Sequence, residues 1–300
     1  MEKLIDLHIH TVCSDGVLTP KEVIDEALTN KVSTIAICDH DTIEAYNEEL
    51  FEYAKEKSIK LILGVEISTK TKKCGIHVLG YNFDLNNKEL REKLYNLRNA
   101  RHIYLRNVAK KLEELGYKVA VDELDKIDAV TKAHIANDVI GNKENETKLK
   151  EVFGYVPQMG EFIETIMNEG CPAYVKKETI TITPKEASSL IHKAGGKVIL
   201  AHPVAYSYED NLTEEDIEKL VMEMQPDGIE TNYIYIDRND IKHNDIVRWN
   251  DFAKKHNLKT TIGSDFHKKD GIHPIIGLVG EDISLTENEV NQMIDFLLHN

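Results

Sequence analysis

The sequence predicts an α/β protein: a (β/α) barrel interrupted by a helical insertion. Two observations predict it. Short apolar runs rich in β-branched residues alternate with helical patterns, the signature of strand–helix alternation. Most of those runs end on histidine or a carboxylate. Uninterrupted apolar runs suit strands buried on both faces. A barrel gathers reactive residues at the C-terminal ends of many strands. A doubly wound sheet would concentrate them at one switch point. At least five strand ends carry candidates here, which favours closure.

The first run, residues 4–7, leads into His8 and His10, and the run 34–38 leads into Asp39 and His40. Residues 61–63 pass through Gly64 and Val65 into Glu66, and His77 lies within a further strand, 75–81. In the second half, 198–201 leads into His202, 228–229 into Glu230, and 260–263 into Ser264, Asp265, Phe266 and His267. Between these runs, Thr19-Pro20-Lys21-Glu22 and Thr183-Pro184-Lys185-Glu186 each read as a capping box with proline at the first helical position.

From about residue 87 to 170 the alternation stops. Leu90, Leu94, Leu97, Tyr104, Leu105, Val108, Leu112 and Leu115 keep helical spacing up to Gly116, a C-cap residue. More helix-like, charged sequence follows, with a polar loop expected at 141–147. The expected organisation is a barrel from 1–90 and 170–300, with 91–169 inserted as an α-helical cap over its mouth.

Composition narrows the partners. The chain has 300 residues, 41% hydrophobic and 30% charged, which suits a folded globular protein. Lys plus Arg number 37 against 52 Asp plus Glu, a net charge of −15. That argues against gripping long duplex nucleic acid, which needs cationic side chains on phosphates, and against docking on anionic lipid. No segment approaches the ~20 apolar residues of a membrane span. The polar N-terminus and four scattered cysteines without a CxxC fit reduced thiols in a cytoplasm. A small anionic partner remains open if something local reverses the sign.

His8-Ile9-His10 is the sharpest local feature. In an extended segment, residues i and i+2 point the same way, so two imidazoles can bind one ion. Two surface histidines would look the same in isolation. Asp15, His40, Glu66, His77, His202, Asp265 and His267 change that weighting, because they recur at strand ends. Imidazole and carboxylate suit Zn²⁺, Mn²⁺ and Fe. Nine such residues exceed the needs of one ion and suit two or three.

The ordered set Asp6-Leu7-His8-Ile9-His10-Thr11, Ser14-Asp15-Gly16, Asp39-His40-Asp41, Gly64-Val65-Glu66, His77-Val78-Leu79-Gly80, Ala201-His202-Pro203 and Gly263-Ser264-Asp265-Phe266-His267 resembles the polymerase-and-histidinol-phosphatase (PHP) superfamily. The helical insertion resembles the subgroup of 3′,5′-nucleoside bisphosphate phosphatases and short-RNA 5′→3′ exonucleases. The resemblance implies a distorted seven-stranded (β/α) barrel holding a trinuclear cluster, most often of Mn²⁺, with Fe²⁺ or Zn²⁺ as alternatives. It implies one ion on His8, His10, Glu66 and Asp265, a second on Glu66, His77 and His202, and a third on Asp15, His40 and His267.

The expected activity is hydrolysis of a phosphate ester. Two divalent ions clamp the attacking and leaving oxygens and generate a hydroxide at neutral pH. That hydroxide is expected beside Glu66, Asp265 and His8. The expected substrate is a nucleoside 3′,5′-bisphosphate or a short 5′-phosphorylated oligonucleotide. His134 sits where the subgroup resembles Thr-Arg-x-His-x-Ala, and Lys132 replaces its arginine, keeping the charge but losing the bidentate fork. His134, Lys132, Arg98 and Arg101 are the expected phosphate contacts, against the reading of solvated helix faces for the arginines. Glu230 and Asn232 end a strand near the site. His102, His192, His243, His256 and His299 read as surface residues on helices. The other readings are a histidinol-phosphate-type monoester phosphatase, a metal-dependent amidohydrolase, and a non-catalytic metal-binding accessory protein.

Overall fold

The computed structural model describes residues 4–176, 181–237, 239–278 and 285–299. Its strands are β1 (Leu4–Ile9), β2 (Val32–Ile37), β3 (Lys60–Lys70), β4 (Gly75–Tyr81), β5 (Lys197–Leu200), β6 (Gly228–Asn232), β7 (Tyr235–Ile236), β8 (Lys242–His243) and β9 (Lys259–Ile262). Seven of them form one sheet in the order β1-β2-β3-β4-β5-β6-β9, while β7 and β8 pair as a separate hairpin. Neighbours are parallel except around β4, which runs antiparallel to both β3 and β5. That reversal follows from the chain: β3 and β4 are joined by a four-residue turn, too short for the crossover that parallel strands need. The two ends of the sheet meet, because Ile9 bridges Phe266 in parallel and the His10 amide donates to the Phe266 carbonyl at 2.9 Å. The result is a distorted seven-stranded barrel.

The helices are α1 (Pro20–Thr29), α2 (Glu48–Glu56), α3 (Lys88–Glu114), α4 (Val121–Leu124), α5 (Lys132–Gly141), α6 (Glu146–Phe153), α7 (Met159–Phe162), α8 (Pro184–Lys193), α9 (Pro203–Glu209), α10 (Glu214–Met224), α11 (Ile246–Lys255) and α12 (Glu287–Leu298). Both expected capping boxes form, at Thr19/Glu22 and Thr183/Glu186. The chain divides into two compact units, Met1–Leu94 with Thr181–Asn300, and Tyr95–Ile180. In the first, Leu7, Ala36, Cys38, Ile62, Leu79, Tyr81, Ile199 and Ala201 pack with Val290, Met293, Ile294 and Leu297 of α12. In the second, Leu105, Val108, Leu112, Tyr117, Ile135, Val139, Leu149, Phe162 and Met167 form a separate core.

Two local expectations change. The segment expected as a polar loop at 141–147 is a 3₁₀ turn, Lys143–Asn145, running into α6. Asn145 is buried there, and its amide donates to the Lys118 and Val139 carbonyls while its oxygen accepts from the Lys118 amide. Its polarity serves an internal bond network instead of solvent. His243 lies on β8, not on a helix. A two-residue strand leaves too little periodicity to be read from sequence.

Candidate metal centre

The centre is built at the mouth of the barrel from strand ends, from the turn that carries Asp15, and from Glu66 and His77 inside β3 and β4. β3 runs on to Lys70, past the end expected at Glu66. His8 lies in β1 and His10 just beyond it. Both are fully buried, with their Nε2 atoms 3.2 Å apart. The loop that follows is pinned by Asp39, at the end of β2. Asp39 accepts from the Thr11 amide at 2.7 Å, from the Thr11 hydroxyl at 2.6 Å, and from the Ser14 hydroxyl. Gly16 completes the turn, and a Cβ there would stand 2.4 Å from the His10 carbonyl oxygen. Glycine is therefore required, and Asp15 is delivered to the site.

Glu66 is the hub. Its Oε2 lies 3.4 Å from His8 Nε2, 3.3 Å from His10 Nε2 and 3.0 Å from His40 Nδ1. Its Oε1 lies 3.0 Å from His77 Nδ1 and 3.1 Å from His202 Nε2. Asp265 Oδ1 faces His8 at 3.4 Å, His10 at 3.1 Å and His267 at 3.7 Å. Asp15 faces His10 at 3.6 Å, His40 at 3.7 Å and His267 at 3.3 Å. All nine sequence-derived ligand candidates thus meet in one place. His202 and Asp265 both sit at positive φ, 22° and 52°, a strained backbone of the kind concentrated at functional sites.

Three overlapping groups have ligand atoms within 4.8 Å of one another: His8, His10, Glu66 and Asp265; His10, Asp15, His40 and His267; and His40, Glu66 and His77. The donor set fits divalent ions on chemistry and on bonding. Asp15 Oδ1, His40 Nδ1, Glu66 Oε2 and His202 Nδ1 are buried and lack a hydrogen-bond partner. Buried polar atoms are rarely left so. His40 Nδ1 and Glu66 Oε2 stand 3.0 Å apart without hydrogen-bond geometry, as two atoms aimed at a common cation would.

Electrostatics agree. Burial pushes the Glu66 carboxyl up, but His77, His40 and His8 outweigh it and hold it well below the usual range. Asp265 and Asp15 behave likewise, each ringed by imidazoles. Burial disfavours a charged His10, yet Asp265 and Glu66 raise its pKa to about 10. The carboxylates thus stay ionised and favour positive charge beside them.

Around it lie supports that the sequence showed poorly. Glu230 on β6 is fully buried. It accepts from His8 Nδ1 at 3.1 and 3.2 Å and from the His202 amide at 3.0 Å. A Cβ at Gly263 would lie 2.4 Å from Glu230 Oε1 and 2.3 Å from the His8 Cβ, so glycine there makes room for the pair. The Tyr233 hydroxyl donates to Asp265 Oδ2 at 3.3 Å, and the Tyr206 hydroxyl accepts from the His77 amide at 2.8 Å. Asp6 accepts from the His8, Ser264 and Gly277 amides, tying β1 to the segment that carries Asp265. Burial pushes Asp6 up to about 6 despite those bonds. Glu230 had a strand-end position as its signal. The tyrosines had none.

The expected phosphate contacts lie together in the second unit. Arg98 is buried, with Nε 3.1 Å from Asp128, and Arg101 donates to the Val130 carbonyl at 3.5 Å. Lys132 Nζ donates to Asn168 at 2.9 Å. His134 Nδ1 accepts from the Thr131 amide at 3.0 Å, closing a capping box at the start of α5. The arginines are therefore engaged within the protein and are not a solvated face.

Residues 6–233 match the PHP domain family. A 5′-3′ exoribonuclease of Haemophilus influenzae is 34% identical over 272 residues, covering 89% of this chain and 91% of its own. A 3′,5′-nucleoside bisphosphate phosphatase of Chromobacterium violaceum is 27% identical over 288 residues, covering 95% and 92%. A solved structure from Bifidobacterium adolescentis, described as a metal-dependent phosphoesterase, superposes with a TM-score of 0.77 at 22% identity over 99% of this chain and 97% of that one. At that identity it speaks for the fold.

Proposed function

The chain belongs to the PHP domain family, and on that premise we propose that it is a metal-dependent phosphoesterase acting on nucleotides. The favoured reactions are removal of the 3′-phosphate from a nucleoside 3′,5′-bisphosphate and trimming of short 5′-phosphorylated oligonucleotides. The observation that carries this is Glu66, whose two oxygens face two different sets of imidazoles inside a buried cluster of nine ligand-type residues. The Haemophilus relative is named for action on RNA and the Chromobacterium relative for action on nucleoside 3′,5′-bisphosphates, which supports this reading.

His8, His10, Glu66 and Asp265 would hold one ion, Glu66, His77 and His202 a second, and Asp15, His40 and His267 a third. Mn²⁺ is the favoured metal. Bound divalent ions supply Lewis-acid polarisation of the phosphate and acidify a water. The chain's own residues do the positioning. The Nδ1–H of His8 donates to Glu230, which leaves its Nε2 lone pair facing the cluster. The Ser14 hydroxyl proton goes to Asp39, so Ser14 accepts from His10 Nδ1–H at 3.3 Å, and the His10 Nε2 also faces inward. His267 Nδ1–H donates to the Asp265 carbonyl at 2.8 Å, turning its Nε2 to Asp15. Partners of this kind orient ligand histidines and raise their basicity. His8, Glu66 and Asp265 converge where the attacking water would be held. His134, Lys132, Arg98 and Arg101 are proposed to bind the substrate's phosphates.

No helix among the described residues is long and apolar enough to cross a membrane. A cytoplasmic location is part of the proposal, supported by four free cysteines. The test is phosphate release with Mn²⁺ over nucleoside bisphosphates, simple monoesters including histidinol phosphate, and short RNA and DNA. Release from a bisphosphate or a 5′-phosphorylated oligonucleotide is expected. Turnover of the simple monoesters alone would overturn the nucleotide assignment.

A further inference from the structure

The β7–β8 hairpin and α9 bring three rings together outside the cluster. Tyr208 and His243 stack with centroids 3.7 Å apart and planes 27° from parallel. Tyr235 lies 5.8 Å from His243 at 20° and 6.4 Å from Tyr208 at 21°. Each ring's polar edge is tied to a carboxylate. Tyr235 donates to Glu209 at 2.7 Å, Tyr208 donates to Asp245 at 3.4 Å, and His243 Nε2 pairs with Asp237 at 3.0 Å. The planes are therefore held before any ligand arrives. Tyr208 remains 44% exposed.

The segments that carry the rings also carry tyrosines that touch the metal cluster. α9 begins directly after His202, and Tyr206 on it lies 5.2 Å, ring to ring, from that histidine. Tyr233, bonded to Asp265, precedes Tyr235 by two residues.

We propose that Tyr208, Tyr235 and His243 form a stacking shelf for a nucleobase of the substrate, an inference that rests on the nucleotide phosphoesterase reading. The chemistry selects a base over a phosphate. Glu209, Asp237 and Asp245 rim the shelf with negative charge, and the nearby Arg248 is taken up by Glu214 and Asp245. Every base offers a π-face, so such a shelf binds without sequence preference.

The test compares adenosine 3′,5′-bisphosphate with its abasic analogue, a 1-deoxyribose 3,5-bisphosphate, on the Mn²⁺-loaded protein. The wild type is expected to show a KM about tenfold lower for the base-bearing substrate, within the range of one stacked base. Tyr208→Ala should collapse that ratio to about one, and Tyr208→Phe should keep it. Equal KM values in the wild type, or a ratio unchanged in Tyr208→Ala, would overturn the shelf. A second readout does not depend on turnover. A 2-aminopurine nucleotide should be quenched on binding wild type and Tyr208→Phe, and not Tyr208→Ala. Quenching without any phosphate release would keep the shelf and remove the phosphoesterase reading. Release without quenching would do the reverse.

Discussion

The metal cluster of the barrel unit and the residues Arg98, Lys132 and Asn145 of the helical unit differ in how their polar groups are partnered. In the helical unit, Arg98 meets Asp128, Lys132 meets Asn168, and Asn145 fills its bonds with backbone groups. In the barrel, four buried polar atoms of the nine-residue cluster lack a hydrogen-bond partner, and its carboxylates are held ionised by crowded imidazoles. Burying such groups unpaired is costly. A fold tolerates that cost where a cation completes the site. The contrast places the groups that call for a cation in the barrel unit.

The strongest way to break that contrast is Glu66→Gln. Losing the carboxylate between the two imidazole sets should lower metal content and cut turnover on the order of 10³-fold. Full metal occupancy by elemental analysis, with wild-type turnover, would refute the hub. Next is Glu230→Gln, which touches no proposed ion directly. Loss of an orienting partner of this kind typically costs ~10–100-fold in metal affinity or activity. Metal titration should therefore shift while the fold, by circular dichroism, stays intact. An unmoved titration would leave Glu230 a packing residue.

The insertion should respond differently. Lys132→Ala and His134→Ala are expected to raise KM for a bisphosphate about tenfold, the scale of one charge-assisted hydrogen bond, with metal content unchanged. A change in kcat and metal occupancy with constant KM would reverse the assignment of roles.

The smallest effect is in pH. The folded pKa of His10, about 10, exceeds the ~6.5 of an unfolded imidazole. In metal-stripped protein its protonation contributes stability that is complete below about 6.5 and is lost as pH rises through about 10. Tm of the stripped protein should fall across that window, and metal should remove most of the slope. Binding should also release protons, read by calorimetry in buffers of different ionisation enthalpy. A flat Tm in the stripped protein would contradict the electrostatic picture.

Much of this was legible in the sequence, for local reasons. The strand runs, the Thr19 and Thr183 capping boxes and the His8/His10 pair depend on neighbours within a few residues, so pattern alone placed them. Most of the ligand types showed because strand ends repeat the same chemistry, while Glu66 lies inside a strand that continues to Lys70. Asn145 misled because a buried, satisfied amide and a solvated one look alike in sequence. His243 misled because a two-residue strand carries no period.

What the sequence determined by itself is the set of elements and the set of ligand-type residues at their ends. Only the tertiary structure decided how they are shared. His8 meets Glu230 across 222 residues, His202 meets Glu66 across 136, and Tyr233 meets Asp265 across 32. The His8–Glu230 pairing exists because the sheet closes through Ile9 and Phe266, while the other two join strands that are neighbours or next neighbours in the sheet order. Closure is a property of the whole sheet, and no single segment carries it.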